Sequence, residues 1–277
     1  MRDMDTLRST FRRALGLPNR RAAVRPGRLD RISGFESKIL GNTRDVVVYV
    51  PAGYDDRRDQ RHPVLYMHDG QNLFEPERAF IPGQHWRLRE AADAAIGERT
   101  AAPMLIVGID NAGVERIDEY TPDHDPKKDA GGRAEDYGWM IIEELKPMID
   151  RGYRTSGETA TGGSSLGGLV SLHLAFRHPD LFRRAAAMSP SVWWNGQSIL
   201  REVDASHAPT RPRLWVDVGG REGAEALAGA RALRARLERE GWNDENFRYV
   251  EDRRGDHSER AWARRVRKVL EFLFPPT

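Results

Sequence analysis

The run Gly163-Ser164-Ser165-Leu166-Gly167 sets a serine between two glycines in the spacing GxSxG. It does so in one register only, because centring on Ser164 would put Leu166 at a glycine position. The pattern suits a nucleophile: a strand turning abruptly into a helix holds the serine at the apex in a strained backbone, and only small flanking residues permit so close an approach. A Gly/Ser turn without chemistry would read the same five residues, so the flanks decide. Thr159 to Thr161 before the motif reads as a strand and Leu166 to Phe176 after it as a helix, the strand-turn-helix that the motif requires.

A serine hydroxyl needs a base, and histidine titrates in the range that lets it take the proton and return it to a leaving group. Of the 8 histidines, His173 and His178 lie on the helix leading away from Ser165, and His62 precedes a strand at its wrong end. His257, in RRGDHSER, follows the strand-like run Phe247 to Val250 and precedes the last helix, which fits a base; a surface histidine beside a helix-capping Ser258 is the plainer reading. A third group should orient the imidazole and stabilise its protonated form. Glu222, in the loop GGREG beyond a strand end, is preferred to Asp217 inside the strand WVDVG, and Asp256 comes third. Donors for a developing oxyanion are expected from the backbone: the N–H of Leu166 at a helix start, and the N–H of Gln71 in HDGQNLF, where Gly70 lets the chain turn toward the site. A turn with no catalytic part would also account for HDGQ.

These groups can meet only if the chain folds as alternating strands and helices. Arg44 to Tyr49, Val64 to Met67, Met104 to Ile109, Thr159 to Thr161, Ala185 to Met188 and Leu214 to Val218 are short strand-like runs bounded by turn residues. Between and after them, Trp139 to Ile149, Leu166 to Phe176, Ala224 to Glu240 and Ala261 to Phe274 carry apolar residues at helical spacing, with Pro147 marking a kink or a boundary. The alternation specifies an α/β fold, a mostly parallel central sheet with helices on both faces and ligands at the carboxyl ends of the strands. A polar arm, residues 1–30, is expected ahead of a single domain, residues 31–277.

Composition narrows the function. The 277 residues are 39% hydrophobic and 31% charged, with a mean hydropathy of -0.66, as for a solvated globular chain. Lys and Arg total 44 against 42 acids, and the basic stretch Arg12, Arg13, Arg20, Arg21, Arg25, Arg28 and Arg31 lacks interleaved aromatics, so no nucleic-acid partner is expected. With 0 cysteines there is no thiolate nucleophile and no disulfide, and no His/Asp cluster has metal-ligand spacing. No run is long and apolar enough for a signal peptide or a membrane span, which makes cytoplasmic residence and no membrane partner the expectation. The oligomeric state has no signature.

Taken with PVLYMHDGQNLF, RIDEYTP at Arg116 to Pro122, YGWMIIEELKPMIDRGYRT, TGGSSLGGLVSLHLAFRHPDLF, MSPSVWW and GDHSERAW, these residues resemble the bacterial Putative esterase family. That family holds siderophore esterases for enterobactin and bacillibactin, feruloyl esterases, S-formylglutathione hydrolase and mycolyltransferases. The likeness runs from about Val46 onward. It implies an α/β-hydrolase fold, no cofactor, Ser165 as nucleophile, His257 as base and an oxyanion site at Gln71 and Leu166. Relatives carry an acid in a GxxE or GxxD setting, which Gly219 to Glu222 matches, whereas some siderophore esterases resemble a Ser-His dyad in which such an acid is dispensable.

The resemblance also puts Ser191, Trp193 and Trp194 beside the nucleophile, where an indole pair would pack an aromatic or sugar-like acyl group. Core packing is the other reading. Arg116, Glu119 and Tyr120 follow a strand and are expected on the active face, either as substrate contacts or with an Arg116–Glu119 ion pair fixing the loop. His85-Trp86 is expected at a rim or lid. The expected activity is hydrolysis of a small-molecule carboxylic ester; an acyltransferase using the same nucleophile, and a hydrolase fold kept only for binding, are the alternatives.

Overall fold

Each apolar run of the sequence becomes a strand whose successive side chains face opposite sides, and the two sides bury against different helices. The computed structural model describes residues 26–205 and 211–276. The expected arm lies outside the described residues up to its residue 25, while Arg28 and Arg31 fall in the first strand. In chain order the strands are β1 (Arg28–Ser37), β2 (Asn42–Val50), β3 (His62–His68), β4 (Leu105–Ile109), the hairpin of β5 (His124–Asp125) and β6 (Ala130–Gly131), β7 (Thr155–Ser164), β8 (Phe182–Met188), β9 (Arg213–Gly219) and β10 (Phe247–Asp252). The main sheet runs β1-β2-β4-β3-β7-β8-β9-β10. β2 is antiparallel to both of its neighbours and every other pairing is parallel.

The described helices are α1 (Leu88–Gly97), α2 (Arg116–Glu119), α3 (Ala134–Trp139), α4 (Lys146–Gly152), α5 (Leu166–Arg177), α6 (Trp194–Gln197), α7 (Ile199–Ala205), α8 (Ala224–Arg239) and α9 (Glu259–Leu273). Val46, Val48 and Val50 of β2, with Val64, Val107 and Ala187, pack beneath Leu169 and Leu172 of α5 and Leu233 of α8. Their neighbours Val47, Tyr49, Leu65, Ile106 and Ala186 face the other way, toward Leu88 of α1 and Val266 and Leu270 of α9. The sheet is thus covered on both faces, as parallel strands require.

Local chemistry explains two irregularities. Met140–Leu145 winds as a π-helix between α3 and α4, directly ahead of Pro147, whose ring would collide with the carbonyl four residues back in a regular α-helix. β1 breaks register with β2 between Ile32 and Phe35, so its apolar residues do not alternate. No helix among the described residues is long and apolar enough to cross a membrane.

Candidate active site

β7, β8, β9 and β10 lie side by side and end at one edge. Ser164 pairs with Met188, Met188 with Asp217, and Gly219 with Asp252. Ser165 follows β7 and caps α5 with φ 58 and ψ -123, a conformation unfavourable for any residue but glycine that costs about 1–3 kcal/mol. A Cβ on Gly163 would stand 2.9 Å from the backbone of Gly167, so the glycine pair is what lets the helix start fold back onto the strand end. The Ser165 hydroxyl is 3.3 Å from Ser191 Oγ, and Ser191 N–H donates to the Ser165 carbonyl at 3.0 Å. Among the described residues Ser191, not His257, is therefore the hydroxyl's hydrogen-bond partner.

His257 sits in the loop between β10 and α9, with Nδ1 2.8 Å from Glu222 Oε2 and its ring edge-on to Trp262 at 5.0 Å. Glu222 is anchored at its other oxygen: Oε1 accepts from Gly219 N–H at 2.6 Å and from Ser189 Oγ at 2.6 Å. Burial pushes the Glu222 carboxyl up, but hydrogen bonds from His257, Ser189 and Gly219 outweigh it and hold the group below its ordinary range, ionised beside the imidazole. Asp217 is wholly buried and turned elsewhere, bonded by the Trp215 indole N–H at 2.8 Å and paired with Arg265 at 3.1 Å. Burial pushes its carboxyl up to about 6, against the pull of Arg265. Of the three acids weighed from the sequence, Glu222 is the one bonded to His257. Ser258 caps α9 through Ala261 N–H, while Asp256 accepts from Ser258 Oγ at 2.5 Å.

Leu166 is the first residue of α5, where an amide N–H has no intrahelical acceptor. Gln71 is the middle residue of a single 3-10 turn, Gly70–Asn72, directly after β3. That turn presses on β4 so closely that a Cβ at Gly70 would lie 2.6 Å from the Gly108 backbone. Asp69, at φ 57, ties it down by accepting both arms of Arg116 at 2.7 and 2.8 Å and the Asn111 amide at 2.7 Å. Beneath it His68 lies between Tyr137 Oη at 2.9 Å and Thr161 Oγ1 at 3.0 Å; burial pushes its pKa down to about 3 and keeps it neutral.

The expected pocket residues divide. Arg116 does not pair with Glu119: it holds Asp69, and Glu119 is taken by Arg44 in a buried pair at 2.8 Å. Tyr120 is fully buried, stacked under Arg116, with its hydroxyl accepting from Asp69 N–H at 3.2 Å, so it supports the turn and has no surface for substrate. Trp194 is buried too, its indole N–H donating to the Asp123 carbonyl at 2.9 Å. Trp193 is 40% exposed, with the Lys128 ammonium 5.4 Å from its ring centre. His85 is half-buried, and Trp86 is core against Trp262, which leaves the rim reading to His85 alone.

Sequence reasoning missed Asp69, Ser189, Trp262 and Arg265. Arg265 carried a signal: it falls on the buried stripe of α9 with Trp262, Val266 and Val269, where a cation demands a buried partner.

A nearly parallel eight-stranded sheet with a strained serine at the strand-to-helix turn and a His-Glu pair at the same edge defines an α/β-hydrolase fold, and as a class the protein is a serine esterase. The chain belongs to the Putative esterase family, whose model matches residues 37–273. It is 22% identical to the uncharacterized protein YbbA of Bacillus subtilis over 260 residues, 88% of this chain and 97% of that one. It is 29% identical to the iron(III) salmochelin esterase of Escherichia coli over 67% of this chain and 44% of that protein, and 30% identical to the ferri-bacillibactin esterase BesA of Bacillus subtilis over 56% and 53%. The chain thus spans about half the length of these two siderophore esterases. Among solved structures, the BES protein from Bacillus cereus aligns with a TM-score of 0.69 at 23% identity, covering 93% of this chain and 98% of that one. The enterobactin esterase FES from Shigella flexneri aligns with a TM-score of 0.71 at 19% identity, over 93% and 62%.

Proposed function

We propose that the chain hydrolyses small-molecule carboxylic esters through an acyl-enzyme on Ser165, with residues 31–277 acting as one catalytic domain. Ser165 Oγ attacks the ester carbonyl carbon while the free ring nitrogen of His257 takes its proton. Negative charge gathers on the carbonyl oxygen and is met by the N–H groups of Leu166 and Gln71, each worth about 3–4 kcal/mol in barrier. Collapse expels the alcohol, which leaves with the proton from His257. Water, deprotonated by the same nitrogen, then attacks the acyl carbonyl and releases the acid and Ser165.

The observation that carries this reading is the 2.8 Å bond between His257 Nδ1 and an ionised Glu222 at the edge where Ser165 is held at φ 58. That bond fixes the proton on Nδ1 and leaves the other nitrogen free to accept. The resting contact of Ser165 with Ser191 is compatible with it, because catalytic hydrogen bonds often close only when substrate is bound. The test is turnover of p-nitrophenyl acetate: Ser165→Ala should fall to background, and unchanged turnover would reject the assignment. A panel of acetyl and aromatic-acyl esters, with an added alcohol acceptor and analysis of free acid against transfer product, defines the acyl preference and separates hydrolysis from transfer.

A further inference from the structure

Ser189, the first residue past β8, has a φ of 46, in the left-handed region where glycine is at ease and a serine is strained. Its hydroxyl is buried and fully engaged. It donates to Glu222 Oε1 at 2.6 Å and accepts from Trp262 Nε1 at 3.0 Å and Arg265 Nη2 at 3.0 Å. An indole and a guanidinium can only donate, so the hydroxyl proton has no other direction than Glu222. The backbone of Ser189 is pinned as well, its N–H donating to the Asp217 carbonyl at 2.8 Å, while the Asp217 carboxylate holds Arg265 at 3.1 Å. With Oε1 occupied by Ser189 and by Gly219 N–H, Oε2 is the oxygen left for His257.

We propose that Ser189 is a positioning residue for ester hydrolysis, its hydroxyl locked by Arg265 and Trp262 so that Glu222 presents Oε2 to His257. The inference rests on the reading of Ser165, His257 and Glu222 as the reacting triad. Ser189 touches none of the reacting atoms and acts through Glu222. Glycine would fit the backbone with less strain, and strain of this kind persists where surrounding contacts over-determine the residue. What serine adds is the hydroxyl. Asp217 belongs to the same assembly, as the counter-charge that keeps Arg265 in place.

The test is Ser189→Gly, which removes the hydroxyl and relieves the positive φ together, with Ser189→Ala as a second variant and thermal melting to confirm that both fold. Loss of a hydrogen bond to a charged group predicts a kcat lower by about 10- to 100-fold with KM little changed. Labelling of Ser165 by a fluorophosphonate should slow by a similar factor. In a Glu222→Ala background, Ser189→Gly should add almost nothing, because its effect passes through the missing carboxylate. A wild-type kcat in folded Ser189→Gly, or losses that multiply in the double variant, would overturn the proposal. Turnover that survives Ser165→Ala is a different failure: it removes the triad reading and this inference with it.

Discussion

Replacing Glu222 with Gln should harm the enzyme more than replacing it with Ala. Two donors, Gly219 N–H and Ser189 Oγ, converge on Oε1, each at 2.6 Å. A glutamine has one acceptor oxygen, and those donors claim it. Its NH2 then stands where Oε2 stood, 2.8 Å from His257 Nδ1, and the imidazole must accept there. Its own proton moves to the other nitrogen, which can no longer receive one from Ser165. Flipping the amide would set its N–H groups against the two donors, forfeiting two hydrogen bonds and stranding a buried donor, about 2–4 kcal/mol in all. The productive tautomer is then populated about once in 30 to once in 1,000, at 1.4 kcal/mol per factor of ten. Loss of the carboxylate's hold on the imidazolium multiplies that, bringing the drop in kcat/KM to about 10⁴-fold, the size that the matching Asp-to-Asn change has in Ser-His-Asp proteases. Alanine strands the Gly219 and Ser189 donors too, but it leaves the ring free to choose its tautomer, and at the imidazole it loses only the charge-assisted bond, about 10- to 100-fold. Measured on p-nitrophenyl acetate with folded proteins, Glu222→Gln should be at least tenfold slower than Glu222→Ala. If it matches or exceeds Glu222→Ala, the donor arrangement around Oε1 does not set the tautomer and the reasoning fails.

Arg116→Met should lower kcat by about tenfold through loss of order in the Gln71 turn, a fraction of the roughly 3 kcal/mol that one oxyanion donor supplies, while KM for a small ester stays close to wild type; an effect on KM alone would return Arg116 to the pocket. Trp194→Ala should cost about 3–5 kcal/mol of stability in a denaturant melt, whereas Trp193→Ala should fold normally and raise KM for aromatic-acyl esters more than for acetate. Burial pulls His173 down, but the Glu135 carboxylate 3.3 Å from Nε2 and the hydrogen bond of Nδ1 with Glu202 at 2.9 Å outweigh that and raise its pKa to about 9. A folded value above the unfolded value of about 6.5 gives stability that is full below that pH and is lost as pH rises through about 9. The melting-temperature gap between wild type and His173→Gln should therefore be widest in mild acid and close in alkali; a gap that does not change with pH would show that the histidine is not charged.

What the sequence made legible was whatever neighbouring residues decide among themselves. The turn at Ser165 is set by Gly163 and Gly167, four positions apart, so its geometry is readable from one line of text, and the α/β class follows from apolar runs alternating with helical stripes. Chain order left Asp217 and Glu222 open, and the place of Glu222 in a loop beyond a strand end suggested its pairing with His257. Partners chosen in three dimensions were not readable: Arg116 and Glu119 are close in sequence, yet each pairs with a residue from another strand end, Asp69 and Arg44. Trp193 and Trp194 read as a pair but point to solvent and to core. The strand Arg28–Ser37 was hidden because its bulge destroys the alternation that marks a strand, and α1 because the side chains it buries are Leu88 and two alanines, too slight a stripe to stand out.

The elbow at Ser165 is complete well before the segments that supply Glu222, His257, Trp262 and Arg265. A serine without its base is a feeble nucleophile. On the proposed mechanism, a growing chain thus carries an inert hydroxyl through all eight strands of the main sheet, and reactivity arrives only when His257 and the helix after it dock. On the same mechanism, loss of that helix should abolish turnover, because its Trp262 and Arg265 hold the Ser189 hydroxyl that bonds Glu222.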